Sequence, residues 1–162
     1  MLVSAAPDAR LLELGPMALD TDVIGKTYPA STYAVGREKV REYALAVGES
    51  NPLYLDPEAA RAAGYADVVA PPMFAVVYGM RALMPVLFAP ELEIDFARML
   101  HGAQEFEWGP LVVAGDEIST IVSVSNVSQR SGNRFYVLTS TSTNQRGEAV
   151  CVGTWSNIVR EE

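Results

Sequence analysis

Apolar positions recur with two different periods along this chain, and the change of period divides it into a helical first half and a strand-rich second half. Over 37–47, Val40, Tyr43, Ala44 and Val47 fall at i, i+3, i+4 and i+7, which predicts a helix with one apolar stripe and charges on its other face. A short strand at 32–35 precedes it, ending at Gly36, and Gly48 is placed as its left-handed stop. Asp56 as N-cap, Pro57 in the first turn and Glu58 behind it open a second helix, which runs to Ala63 and stops at Gly64. Ala70-Pro71-Pro72 then breaks the chain. Over 73–83, and on toward 88, almost every position is apolar and Arg81 is the one charge, so this third helix is expected to be buried on most sides. Pro85 is expected to kink or end it.

The remainder has a period of two. One strand-like run covers 100–107 and is interrupted by Gly109-Pro110. Over 117–129, Ile118, Thr120, Val122 and Val124 alternate with Glu117, Ser119, Ile121 and Ser123. Ser131-Gly132-Asn133 signals a hairpin, and 134–144 follows with Tyr136, Leu138, Ser140 and Ser142 on one face. Beyond the turn at 145–148, the run 149–159 sets Val150, Val152, Thr154 and Ser156 opposite Cys151, Gly153, Trp155 and Asn157. Helices first and long antiparallel strands last make an α+β order. A fully apolar helix needs a surround, and a strongly curved antiparallel sheet supplies one. The expected architecture is therefore a hot-dog fold over 21–162, preceded by a loose leader at 1–20 that has no clear period. A sheet of this kind leaves a free edge that pairing with a second chain would cover, so a dimer is expected.

Charge and composition narrow the function. The 162 residues carry a net charge of −8, a field that repels a polyphosphate backbone, and Arg37, Lys39 and Arg41 are interleaved with Glu38 and Glu42. Nucleic acid is excluded as a partner on these grounds. The single cysteine, Cys151, rules out an internal disulfide and a multi-cysteine metal site, and is read as a buried inert thiol. No metal site and no cofactor are expected. The start of the chain lacks the basic and apolar regions of a signal peptide, and no apolar run reaches the ~18 residues that span a bilayer. A cytoplasmic protein is expected.

The chemistry concentrates in Gly48-Glu49-Ser50-Asn51-Pro52-Leu53-Tyr54, where a carboxylate, an Asn-Pro turn and a second ionisable group follow a helix stop. This stretch resembles the Gly-Asp-x-Asn-Pro-(aliphatic)-His signature of the MaoC-like dehydratases and (R)-specific enoyl-CoA hydratases, a hot-dog family. Val35-Gly36-Arg37-Glu38, Ala62-Ala63-Gly64-Tyr65, Val69-Ala70-Pro71-Pro72-Met73-Phe74 and His101-Gly102-Ala103-Gln104 are similar to the N-terminal MaoC-like dehydratase group. That group includes the non-catalytic subunits of mycobacterial-type (3R)-hydroxyacyl-carrier-protein dehydratases. The resemblance implies interconversion of a 3-hydroxyacyl thioester and its trans-2-enoyl product, on CoA or on acyl carrier protein. An Asp and a His share the proton work, and a backbone N–H at the head of the central helix holds the thioester oxyanion.

Carried over residue by residue, the site departs at three positions. Glu49 stands for the Asp and is one methylene longer. Tyr54 stands for the His, and a phenol titrates near 10 in water where an imidazole titrates near 6.5. Pro72 stands where the hydratases place a glycine, and proline has no N–H to give; the Met73 N–H is the candidate replacement. Asn51, Pro72, Met73, Phe74 and Tyr78 are the substrate-side candidates, Glu49 and Tyr54 the catalytic ones. The resemblance thus implies a subunit that shapes the acyl channel while a partner chain supplies the Asp and His. A non-catalytic acyl-binding or scaffolding protein and a hot-dog thioesterase are the alternatives. His101, the sole histidine, is read as a hydrogen-bonded structural residue, and Asp116 as part of a strand-entry turn.

Overall fold

A computed structural model describes residues 21–160; the leader expected at 1–20 lies outside the described residues. Strand β1 (Ser31–Ala34) leads into helix α1 (Arg37–Ala46), followed by α2 (Pro52–Leu55) and α3 (Pro57–Ala62). A 3-10 turn (Pro72–Phe74) runs into the central helix α4 (Ala75–Leu87). Strands β2 (Met99–Trp108), β3 (Glu117–Arg130), β4 (Asn133–Thr143) and β5 (Ala149–Arg160) complete the chain. The five strands form one antiparallel sheet in the order β1-β3-β4-β5-β2, and α4 lies against its inner face. This is the expected hot-dog fold.

Burial explains the assembly. The C-terminal half of α4 packs Leu83, Val86 and Leu87 against Val122, Val124, Leu138 and Trp155 of the sheet. Its head packs Phe74, Ala75 and Tyr78 against Val40, Ile118 and Val150. Burying such a side chain fully stabilises the fold by about 1.5–3 kcal/mol, so two clusters on one helix hold it at both ends. The turn into β3 is tied down by Asp116, 3% exposed, which accepts from the Val113 N–H (2.9 Å) and the Gln145 amide (2.8 Å). That is the strand-entry role expected of it.

Four details differ from the sequence reading. Pro85 does not end the helix, because α4 continues through it to Leu87. Pro85 is exposed, as is Arg81 one turn before it, whose carbonyl is the one deprived of its N–H partner. Val47 leaves the apolar stripe of α1 and is 54% exposed, since it caps the helix and the chain turns away there. Asn51-Pro52 is more than a turn: it opens the extra helix α2. The alternation of β3 is broken by a register shift between Val124 and Asn126, after which Val127 takes the inner face.

On the surface, Glu91 accepts from both the Lys26 ammonium and the Tyr28 hydroxyl (3.0 Å). The Lys26 partner, first among the causes, holds the Glu91 carboxyl down at about 2. Burial and then Glu91 push the Tyr28 hydroxyl up to about 12. A carboxylate lowered in the folded state contributes stability above its unfolded value, and loses that contribution as pH falls through the folded one. The stability gap between wild type and Glu91→Gln is therefore expected to shrink as pH drops from about 4.5 to about 2. Denaturation midpoints across that window check this; the gap is small throughout, because the pair is solvent-exposed.

Candidate functional site

The motif stretch is a rigid elbow. Helix α1 ends in a Schellman arrangement: the Glu49 N–H donates to the Ala44 carbonyl (2.8 Å) and the Gly48 N–H to the Leu45 carbonyl (3.2 Å). Gly48 takes φ +77°, a conformation that glycine alone adopts without strain. The glycine of the motif thus serves the turn, and it sets Glu49 as the first residue of the elbow, exposed to solvent. Asn51 caps α2 through its side-chain oxygen, which accepts from the Leu53 N–H (3.0 Å). The Leu53 carbonyl accepts from the Val69 N–H (2.9 Å), which fastens the elbow to the segment leading into α4. Tyr54 is half-buried in the same elbow.

The head of α4 is built from Ala70-Pro71-Pro72. Ala70 donates to the Val112 carbonyl (2.8 Å), and the Phe74 N–H is spent on the Pro71 carbonyl (2.8 Å). Pro72 offers no N–H. Its carbonyl is used instead, accepting from the Trp108 indole at 3.0 Å, so the helix head and the end of β2 are pinned together.

Between them lies a cavity of about 420 Å³. Pro71, Pro72, Phe74 and Tyr78 form the wall on the helix side; Trp108, Pro110 and Leu111 form the facing one. The lining is almost wholly apolar. Burial, and then the adjacent Cys151 sulfur, push the Tyr78 hydroxyl well above the ordinary tyrosine range. Burial also pushes the Cys151 thiol up. Both groups stay protonated at neutral pH, in keeping with an inert cysteine. The cavity therefore suits an aliphatic chain and offers no base to take a proton.

Of the candidates read from the sequence, Pro72, Phe74 and Tyr78 come together on the cavity wall, while Glu49, Asn51, Tyr54 and Met73 do not line it. Met73 is 46% exposed. Phe74 is a hub, meeting Tyr33, Tyr43 and Tyr78 edge-on at ring separations of 5.4–6.4 Å. The facing wall escaped the sequence reading, where Gly109-Pro110 registered only as a break between strands. A tryptophan just before that break, at the end of an edge strand, was the available signal. His101 is exposed, and its contact is ring packing with Trp155 (6.2 Å), in place of the expected hydrogen bond.

Residues 22–152 match the family described as FAS1-like, dehydratase domain region. A UPF0336 protein from Saccharopolyspora erythraea is 43% identical over 145 residues, which cover 89% of this chain and 93% of that one. Among solved structures, a chain of the C-terminally truncated HadBC (3R-hydroxyacyl-ACP dehydratase) complex from Mycobacterium tuberculosis aligns with a TM-score of 0.75 at 28% identity. That alignment covers 86% of this chain and 99% of the other. A MaoC-like dehydratase aligns with a TM-score of 0.79 at 32% identity, over 89% of this chain and 44% of its own length.

Proposed function

Because this chain belongs to the family of FAS1-like dehydratase domain regions, we propose that it is a subunit of a (3R)-hydroxyacyl-thioester dehydratase, or enoyl-thioester hydratase, that shapes the acyl channel and relies on a partner chain for the Asp and His. The observation that carries this reading is the cavity at the head of α4. It is sized and lined for an acyl chain, yet its rim holds Pro72 where an N–H donor is needed. Glu49 and Tyr54 stand away from it, and Tyr78, which does line it, stays protonated.

The free edge of the sheet supports a partner. Among the described residues, strand β2 has β5 on one side and no neighbour on the other, and it exposes Leu100 and Trp108. A second hot-dog chain pairing there would cover these groups and bring its own site to this one. The solved relative from Mycobacterium tuberculosis is itself one chain of a dehydratase complex. The proposed setting is the cytoplasm. Among the described residues no helix is long and apolar enough to cross a membrane.

The test is hydration of crotonyl-CoA by this chain alone and by this chain co-expressed with a hot-dog protein that carries an intact Gly-Asp-x-Asn-Pro-x-His. Turnover is expected to be near background alone and to rise at least about 100-fold in the complex, the scale set by placing one acid–base group correctly. Full activity alone, abolished by Glu49→Gln, would overturn partner dependence. Acyl-thioester binding with no turnover in any combination would instead favour a binding or scaffolding protein. Release of free thiol from acyl-CoA would mark a thioesterase.

A further inference from the structure

The inner face of the sheet carries polar side chains among its apolar ones, and most have partners inside the chain. The Tyr136 hydroxyl donates to the Leu92 carbonyl (2.9 Å), the Trp155 indole to the Ser140 hydroxyl (2.8 Å), and the Thr120 and Ser142 hydroxyls pair at 2.9 Å. Two side-chain donors are the exceptions among the described residues. Both the Gln104 amide nitrogen and the Asn157 amide nitrogen are buried with no acceptor. Asn157 is 1% exposed. Buried donors in folded proteins are paired as a rule, so a pair left open calls for an oxygen from outside the chain.

The strand register puts these two groups on one surface. His101 lies directly opposite Asn157, and Gln104 directly opposite Trp155, across the β2–β5 ladder. Residues opposite each other in an antiparallel pair face the same way; Asn157 and Trp155 are inner-face residues, so His101 and Gln104 are too. The register shift between His101 and Ala103 lets both of them face inward although three positions separate them. The same inner row of β2 continues through Phe106 to Trp108, which is a wall of the apolar cavity. From Trp108 back to Gln104 is about 13 Å at about 3.3 Å per residue.

We infer that Gln104 and Asn157, with His101 beside them, form a second site that takes an oxygen carried on the acyl chain itself, some way beyond the thioester. The substrate class is then an oxygenated acyl thioester rather than a plain aliphatic one. The amides present donors, so the ligand atom is an acceptor: a hydroxyl or keto oxygen. The three residues include no lysine or arginine, so a carboxylate would arrive without a fixed counter-charge, and a neutral oxygen fits better. The inference rests on the acyl-thioester reading given above.

Calorimetric binding of stearoyl-CoA is compared with that of its mid-chain hydroxy and keto derivatives, on the full chain and, where it forms, its complex. The hydroxyl is walked along the chain to find the favoured carbon. The oxygenated thioesters are expected to bind about 10-fold tighter or more at one position, the gain of two satisfied amide donors. Asn157→Leu should bring that preference to within about two-fold while leaving plain stearoyl-CoA binding unchanged. Gln104→Leu, at the half-buried edge, should remove part of it. Equal binding of plain and oxygenated chains by the wild type overturns the inference alone. Persistence of the preference in both variants does the same. Failure of every thioester to bind overturns it together with the acyl-thioester reading.

Discussion

Trp155→Ala is expected to cost about 3–5 kcal/mol of folding stability, the range for removing a large buried aromatic side chain. The indole is 0% exposed and belongs to the cluster that holds the C-terminal half of α4. Its ring meets Phe106 edge-on at 5.5 Å, and its N–H donates to the Ser140 hydroxyl at 2.8 Å. Two glycines make room for it. A methyl group built on Gly79 of α4 would lie 3.0 Å from the indole carbon Cζ2, and one built on Gly153 would lie 2.9 Å from its nitrogen. The slot is shaped for this one ring, so little can collapse into the space it leaves. A urea or guanidinium titration should show the midpoint fall with the slope unchanged. Gly79→Ala gives the converse. It should destabilise the wild type and be better tolerated on a Trp155→Phe background, with a coupling of about 0.5–3 kcal/mol between the two sites. Additive losses would mean that the indole does not fix the distance between helix and sheet.

The second large effect is expected at Gly109. A methyl group there would lie 2.0 Å from the Ala149 carbonyl oxygen and 3.1 Å from its carbon, both backbone atoms held where β5 begins. The Gly109 N–H is already committed to the Val150 carbonyl (2.9 Å), so the two strands cannot part without losing that bond. Gly109→Ala is therefore expected to destabilise the fold by at least about 2 kcal/mol, at the upper end of overpacking costs. Because Gly109 lies in the cavity wall beside Trp108, the same change should, on the proposed acyl-thioester reading, weaken acyl-CoA binding in the fraction that stays folded. Thermal unfolding gives the first effect, and calorimetric titration below the transition gives the second. A variant as stable as the wild type would show that β5 can shift to accommodate the methyl group.

What the sequence made legible follows from which interactions are local. The period of α1, the left-handed Gly48 and the Asp56 cap, whose side chain accepts from the Glu58 N–H at 2.8 Å, are written within a few residues of one another. The inner face of β4 could be read from Tyr136, Leu138, Ser140 and Ser142, all at most 2% exposed, because strict alternation leaves one choice of face. The shift inside β3 could not, since a bulge depends on the partner strand. Nor could Pro85 in α4, whose tolerance depends on which side of the helix meets water. At the site, Pro72, Phe74 and Tyr78 were legible because they share the head of one helix. Trp108, Pro110 and Leu111 face them from more than twenty residues further on, and only the fold brings the two walls together. The open amides of Gln104 and Asn157 were invisible for the same reason: a missing partner is a property of the packed structure.

The place of β5 in the sheet has a consequence for how this chain reaches its fold. Among the described residues the last strand, β5, lies between β4 and β2, and β2 has no other neighbour. As the chain leaves the ribosome, β2 must wait some fifty residues for its partner, while the apolar side of the central helix waits with it. Closure is therefore of high contact order, which places folding toward the slow end for a domain of this size and leaves an aggregation-prone interval before it. Deleting β5 would remove two ladders at once.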